Sequence, residues 1–168
     1  MDTLTIRREA EADIPAIRDL TSRAFVDKPY SDQREAEIVE ALRDTDSLTF
    51  SFIAVKGPAV VGHIAASPVT ISDGTGNWFG IGPISVDPDT QGEGIGSQLM
   101  QRALDELEAM GAGGAVALGD PTFYRRFGLA THPGLTYPGF DAQYFLAVAL
   151  ADANVPVGEV TYHPAFTG

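Results

Sequence analysis

Cysteine is absent from this chain of 168 residues, which excludes disulfides, thiolate metal sites and a cysteine nucleophile and is compatible with a reducing compartment. Between Lys56 and Arg102 no lysine or arginine occurs, so the phosphate-gripping lysine of a P-loop is missing and nucleotide hydrolysis is not expected. Basic residues are scarce throughout: 11 stand against 23 acidic ones, a net charge of −12, and a surface of that sign repels nucleic acid. Residues 1–26 carry charges along their length and contain no apolar run long enough for a signal peptide or a membrane span, so a soluble, cytoplasmic protein without a membrane partner is expected. The three histidines, His63, His132 and His163, are scattered, and no metal site is expected. A serine-hydrolase turn is also missing, because Gly94-Ile95-Gly96-Ser97-Gln98 is not G-x-S-x-G.

What the chain does have is a glycine-rich turn, Gln91-Gly92-Glu93-Gly94-Ile95-Gly96, between the apolar run Ile84-Ser85-Val86 and an amphipathic segment. Glycines at alternate positions let the backbone turn tightly and approach a ligand, and a helix that follows presents unpaired N–H groups and a positive dipole end to an anion. The turn therefore reads as a cradle for a diphosphate. It is not a dinucleotide fingerprint, because its third glycine falls one place early for G-x-G-x-x-G.

The hydrophobic content of 44% over this length suits one core, and a single domain over residues 1–168 is expected. Thr3 to Arg8 alternates as a first strand. Asp13 stands as N-cap of a helix whose Ile14, Ile17, Leu20, Ala24 and Phe25 share a face, with Pro15 in its first turn. After a turn at Pro29-Tyr30-Ser31, Asp32 and Glu35 form a capping-box pattern for a second helix that ends near Asp44. Leu48, Phe50, Phe52 and Ala54 alternate as a half-buried strand, and a second strand runs from Val60 to about Ile71, with Pro68 bending its end. Trp78 to Val86 returns as the next strand. The helix from about Gly94 to Met110 has an apolar stripe of Ile95, Leu99, Ala103, Leu107 and Met110. Ala115–Leu118 reads as a buried strand, Asp120-Pro121 opens a short helix, residues 130–142 form a loop, and Gln143–Leu150 and Gly158–Tyr162 close the sheet. This order gives a mixed α/β fold around one central sheet.

Q-x-x-G-x-G after a strand resembles the acetyl-CoA motif of the GNAT superfamily of N-acetyltransferases. A second element in the right order, Phe123-Tyr124-Arg125-Arg126-Phe127-Gly128-Leu129, is similar to the family's F-Y-x-x-x-G-F. A finer resemblance, to the YhbS-like predicted acetyltransferases, rests on Gly82-Pro83-Ile84-Ser85-Val86, Leu118-Gly119-Asp120-Pro121 and Tyr162-His163-Pro164-Ala165-Phe166. The resemblance spans nearly the whole chain. It implies a central, mixed but mostly antiparallel sheet with flanking helices, in which two parallel strands splay apart near Val86 and Leu118.

The resemblance also implies acetyl-CoA as cosubstrate. Its diphosphate would lie on residues 91–97 (Gln91, Gly92, Glu93, Gly94, Ile95, Gly96 and Ser97), and its thioester along the strand through Ile84 and Val86. The Val86 N–H would steady the oxyanion and Tyr124 would protonate the departing thiolate. Ser97 reads equally as a helix-start residue, and Glu93 departs from the basic or amide residue frequent at its position, which suggests that its carboxylate points to solvent. His63 is a candidate general base by its pKa range, against the alternative of a structural strand histidine. Asp120 could act through water, yet helix capping explains it. The acceptor implied is a small-molecule amine or a peptide; an acyl-CoA sensor without turnover is the alternative. No heptad or other self-association pattern sets an oligomeric state, and a homodimer stays open.

Overall fold

The computed structural model describes residues 3–26, 28 and 31–167; Pro29 and Tyr30 of the expected turn lie outside the described residues. Strands β1 (Leu4–Arg8), β2 (Phe50–Lys56), β3 (Ala59–Pro68), β5 (Trp78–Val86), β6 (Gly114–Leu118) and β8 (Phe145–Ala149) form one sheet in the order β1-β2-β3-β5-β6-β8. β1–β2, β2–β3 and β6–β8 run antiparallel, and β5–β6 run parallel. Helices α1 (Ile14–Phe25), α2 (Glu35–Asp44), α3 (Ile95–Ala109) and α4 (Pro121–Arg125) complete the mixed α/β architecture. Among the described residues no helix is long and apolar enough to cross a membrane.

By its internal packing the chain divides into two compact units, one formed by residues up to Ala66 with Pro83–Ala103, the other by Ser67–Gly82 with the residues from Leu104 onward. In the first, Ile17 of α1, Val39 of α2 and Ile53 of β2 are buried together, with Val55 and Val60 against them. The helical stripe on α1 was legible: Ile17, Leu20 and Ala24 are buried. Glycine is required at Gly62, where an added Cβ would stand 2.8 Å from Ile95 Cγ2 and from Leu99 Cδ1, so α3 rests directly on the backbone of β3.

The second unit is built around Trp78, Val116, Phe145 and Val160. Here the structure adds a small second sheet to the expected central one, and it takes the strand expected to close the central sheet at Gly158–Tyr162. Pro68, with no N–H to give, ends β3, and the chain resumes as β4 (Thr70–Ile71), which joins β9 (Gly158–Thr161) and β7 (Leu135–Thr136) in a separate three-stranded sheet, order β4-β9-β7. β7 falls inside the stretch expected to be loop. Tyr162, after β9, is buried, its ring packed against Phe166 and Tyr137.

Smaller departures have local causes. A 3-10 turn at Glu11–Asp13 puts Asp13 in helical geometry already, so its carboxylate turns back to accept from Ala10 N at 2.7 Å and pairs with Arg7 at 2.8 Å instead of capping α1. Asp32 accepts from Arg34 N (3.1 Å) in an Asx turn, and Glu35 is held by the Ser31 hydroxyl at 2.7 Å, which displaces the expected capping box. β2 is buried on both faces, not one, because Ser51 and Ile53 are covered as well as Phe50, Phe52 and Ala54. In α3, Met100 and Leu104 are buried and Met110 is 46% exposed. The helix has ended at Ala109, and Ala112 N–Leu107 O (3.0 Å) with Gly111 N–Glu108 O (3.0 Å) closes it in a Schellman motif around Gly111, φ 76°.

Candidate acetyl-CoA site

The glycine-rich turn is preceded by a 3-10 turn at Pro88–Thr90 that Asp87 organises, accepting from Asp89 N at 2.9 Å while Arg23 of α1 reaches its other oxygen at 3.0 Å. The backbone amide of Asp89, aided by Arg23, holds the Asp87 carboxyl below the ordinary carboxylate range. Gln91 is extended, then Gly92 (φ 89°) and Gly94 (φ 83°) take left-handed conformations that an L side chain rarely adopts. An added Cβ at either glycine would meet nothing within 4 Å; backbone conformation, not crowding, requires glycine there. The first helical hydrogen bond of α3 runs from Gln98 N to Gly94 O at 3.1 Å. The amides of Ile95 and Gly96 therefore stand ahead of the helical ladder, where a fifteen-residue helix is most favourable to an anion.

Two contacts brace the turn. Gln91 Nε2 donates to Val86 O at 3.4 Å. Glu93 is not simply turned to solvent as expected: its carboxylate pairs with Lys56 Nζ at 2.9 Å, both side chains remaining partly exposed. Lys56 thus supplies, from the end of β2, a cation the local sequence lacks. Before the turn, Asp87 N donates to Val61 O of β3 at 2.8 Å; because successive amides of a strand point to opposite edges, the Val86 N–H points to the edge away from β3. Parallel pairing of β5 with β6 runs only from Trp78↔Gly114 to Ile81↔Ala117, and the next residue, Gly82, has φ 132°. Beyond that break Ile84 and Val86 are half-buried, while Ser85 between them is buried, its hydroxyl without a hydrogen-bond partner among the described residues.

His63 lies in the same unit, fully buried on β3, with Nε2 2.7 Å from Ser51 Oγ. Burial pulls its pKa down from 6.5 to about 4, partly opposed by Glu9. The unfolded chain therefore binds this proton below pH 6.5 and the folded chain resists it until about pH 4. The stability that comes with burying neutral His63 is fully present above that window and is lost as pH falls through it, a change of about 3 kcal/mol. Denaturant titrations between pH 7 and pH 4 should show this slope, and His63→Leu should flatten it.

Tyr124 belongs to the other unit. Asp120 accepts from Thr122 N at 2.9 Å and Pro121 follows, so α4 starts as its sequence signals indicated. Tyr124 is buried against Gly119, where an added Cβ would lie 3.0 Å from its ring. Arg126 lies over the rings of Phe123 and Phe127. The structure thus brings the cradle residues and His63 into one unit and places Tyr124 in the second. Sequence reading missed Lys56, Ser51 and Glu9. Only strand register joins these to the site, although the alternation Phe50-Ser51-Phe52 was a usable signal. Among the described residues no group of His, Cys, Asp and Glu could hold a metal ion.

A family model described as an acetyltransferase (GNAT) domain matches residues 5–131. The uncharacterized N-acetyltransferase YhbS of Escherichia coli K12 is 35% identical over 97% of this chain and 98% of its own. Two crystal structures superpose closely. One is a GNAT family acetyltransferase of Brucella melitensis in complex with acetyl-CoA, 43% identical with a TM-score of 0.87 over 98% of both chains. The other is YhbS of Escherichia coli in complex with CoA, 33% identical with a TM-score of 0.90 over 100% of this chain and 94% of that one. With the motif, the left-handed glycines ahead of α3 and the parallel β5–β6 seam in place, the chain belongs to the GNAT acetyltransferase family.

Proposed function

We propose that the chain works as one N-acetyltransferase domain that moves the acetyl group of acetyl-CoA to a primary amine, by direct attack while both are bound. The observation that carries this reading is the pair of amides of Ile95 and Gly96 ahead of the α3 ladder, entered through two glycines held at positive φ. That is a ready acceptor for a diphosphate. The complexes of its relatives with acetyl-CoA and CoA support the same ligand here.

In this scheme the amine nitrogen attacks the thioester carbonyl carbon, the carbonyl oxygen takes up negative charge, and the carbon–sulfur bond then breaks. The Val86 N–H, aimed away from β3, is the donor for that oxygen, a fixed dipole that needs no reorganisation during reaction. Tyr124 gives its phenolic proton to the departing thiolate and regains one from solvent. The proton of the incoming ammonium passes to water, since His63 is fully buried and resists protonation until about pH 4, and holding both reactants together contributes much of the rate. The acceptor is a small amine or a peptide amine.

The test is calorimetry with acetyl-CoA followed by free-thiol release against a panel of amines, polyamines, amino acids and peptides. Binding with thiol release on at least one acceptor is expected. Binding without release on any of them would mark a sensor and overturn the transfer reading. At the cradle, Glu93→Gln should tighten acetyl-CoA roughly two- to fivefold at low salt, the modest size following from the pairing with Lys56. The gain should shrink as salt screens it.

A further inference from the structure

The second unit carries a group of aromatic rings that is only half covered. Tyr137 meets the Tyr162 ring edge-on at 4.9 Å and the Phe145 ring at 5.7 Å, and Phe140 stacks on Tyr137 at 5.0 Å with the planes 17° apart. Tyr162 and Phe145 are buried and Tyr137 is half-buried, whereas Phe140 is 59% exposed and Tyr144 46% exposed. The group is tied to Tyr124 through Gly119. Tyr144 O accepts from Gly119 N at 2.9 Å, and Phe145 of β8 pairs with Leu118 at the end of β6. An added Cβ at Gly119 would lie 3.0 Å from the Tyr124 ring and 3.7 Å from its hydroxyl oxygen. Gly119 thus joins the phenol assigned to the departing thiolate to a residue that bears one of the exposed rings.

The electrostatic setting of these rings is one-sided. Among the described residues the guanidinium–ring contacts fall elsewhere, with Arg8 and Arg102 over Phe52 and Arg126 over Phe123 and Phe127. Lysine and arginine occur in the second unit only as Arg125 and Arg126. Asp141 follows directly on Phe140, exposed, its carboxylate accepting from Gln143 N and from Gln143 Nε2 at 3.1 Å each. A carboxylate has further lone pairs beyond those two bonds, and the face of an aromatic ring attracts a cation. An anionic ligand would need a basic residue here, and a purely apolar one gains nothing from the carboxylate. Rings beside an acid fit a positive charge carried on an apolar chain.

We infer that Tyr137, Phe140, Asp141 and Tyr144 form a subsite for a second positive charge on the acetyl acceptor, which makes the substrate class a small diamine or polyamine. This rests on the N-acetyltransferase reading above. The nitrogen that attacks must first lose its proton, so its own charge cannot hold it in the reactive complex. A second ammonium keeps its proton at neutral pH. Held over the rings and beside Asp141, it fixes the far end of the chain while the uncharged end is offered to the thioester, a contribution to orientation.

Thiol release by the full chain, with diaminobutane compared against butylamine and diaminohexane against hexylamine, tests this. The diamine of at least one pair should have the higher kcat/KM by about tenfold, and the gap should narrow as salt rises. Phe140→Leu removes the ring from an exposed position and should lower the diamine-to-monoamine ratio roughly tenfold, while Phe140→Trp should keep it. Asp141→Asn retains an oxygen for Gln143 N but not the charge, and should lower the ratio about threefold. Equal kcat/KM within both pairs, or a Phe140→Leu variant that loses activity on both amines alike, would overturn the subsite. A second readout needs no turnover: the tetramethylammonium ion, which cannot be acetylated, should shift the ring proton NMR signals of Phe140 and Tyr144, assigned through Phe140→Leu and Tyr144→Leu. Unmoved ring signals would overturn the inference even in an active enzyme. Acetyl-CoA binding without thiol release from any amine would instead sink the transfer reading, and the ring signals would still report on the subsite.

Discussion

Tyr124→Phe is expected to lower kcat about a hundredfold while the KM for acetyl-CoA changes little, the size a positioned general acid contributes. Phenylalanine keeps the ring that packs against Gly119 and the edge-on contact with Phe123 at 5.1 Å, so folding should be preserved and only the hydroxyl lost. The departing thiolate would then have to find its proton in water. Pre-steady-state kinetics with the preferred amine should show the loss in the chemical step, and a more acidic thiol leaving group should recover part of it. Equal turnover in the variant would remove Tyr124 from the chemistry and leave it as a packing residue of α4.

Gly94→Val should weaken acetyl-CoA binding about a hundredfold, with a stability loss of only about 1–2 kcal/mol. The reason lies in the split between backbone and space. At φ 83° a β-branched residue is strained, yet an added Cβ would meet nothing within 4 Å. The chain can relieve the strain by turning its peptide planes, which re-aims the amides that open α3. Charge-assisted bonds from those amides are what the diphosphate would lose. Calorimetry beside thermal denaturation separates the two effects; a variant that binds acetyl-CoA as tightly as the parent would show that the cradle is not the phosphate site.

How much of this was legible in the sequence depended on whether local or distant residues decide. The tight turn at Gly92 and Gly94, the Asp120-Pro121 start of α4 and the stop at Gly111 rest on glycine, proline and capping chemistry within a few residues, and these read correctly. Trp78–Val86 was placed without error because turn residues bound it on one side and the glycine run on the other. The capping roles of Asp13 and Asp32 failed because one 3-10 turn and one Asx turn shift the helix starts, and such shifts do not show in residue type. The second sheet was missed because β4 and β7 have two residues each, too short for any alternation, and pairing with β9 alone defines them. The same holds for the site: Lys56 beside Glu93 and Ser51 beside His63 are matters of register. A strand read by itself as half-buried hid the contact of Ser51 with His63 on its other side.

The contact of α3 with the backbone at Gly62 has a thermodynamic corollary. Because a glycine lets the first turns of that helix seat on β3 through Ile95 and Leu99, the amides that open it are anchored by the core of the unit and not by the loop before them. Ligand capture at such an end demands little further loss of chain freedom, so acetyl-CoA should associate rapidly and with a small ordering penalty, and selectivity among acyl donors must be set elsewhere, along β5.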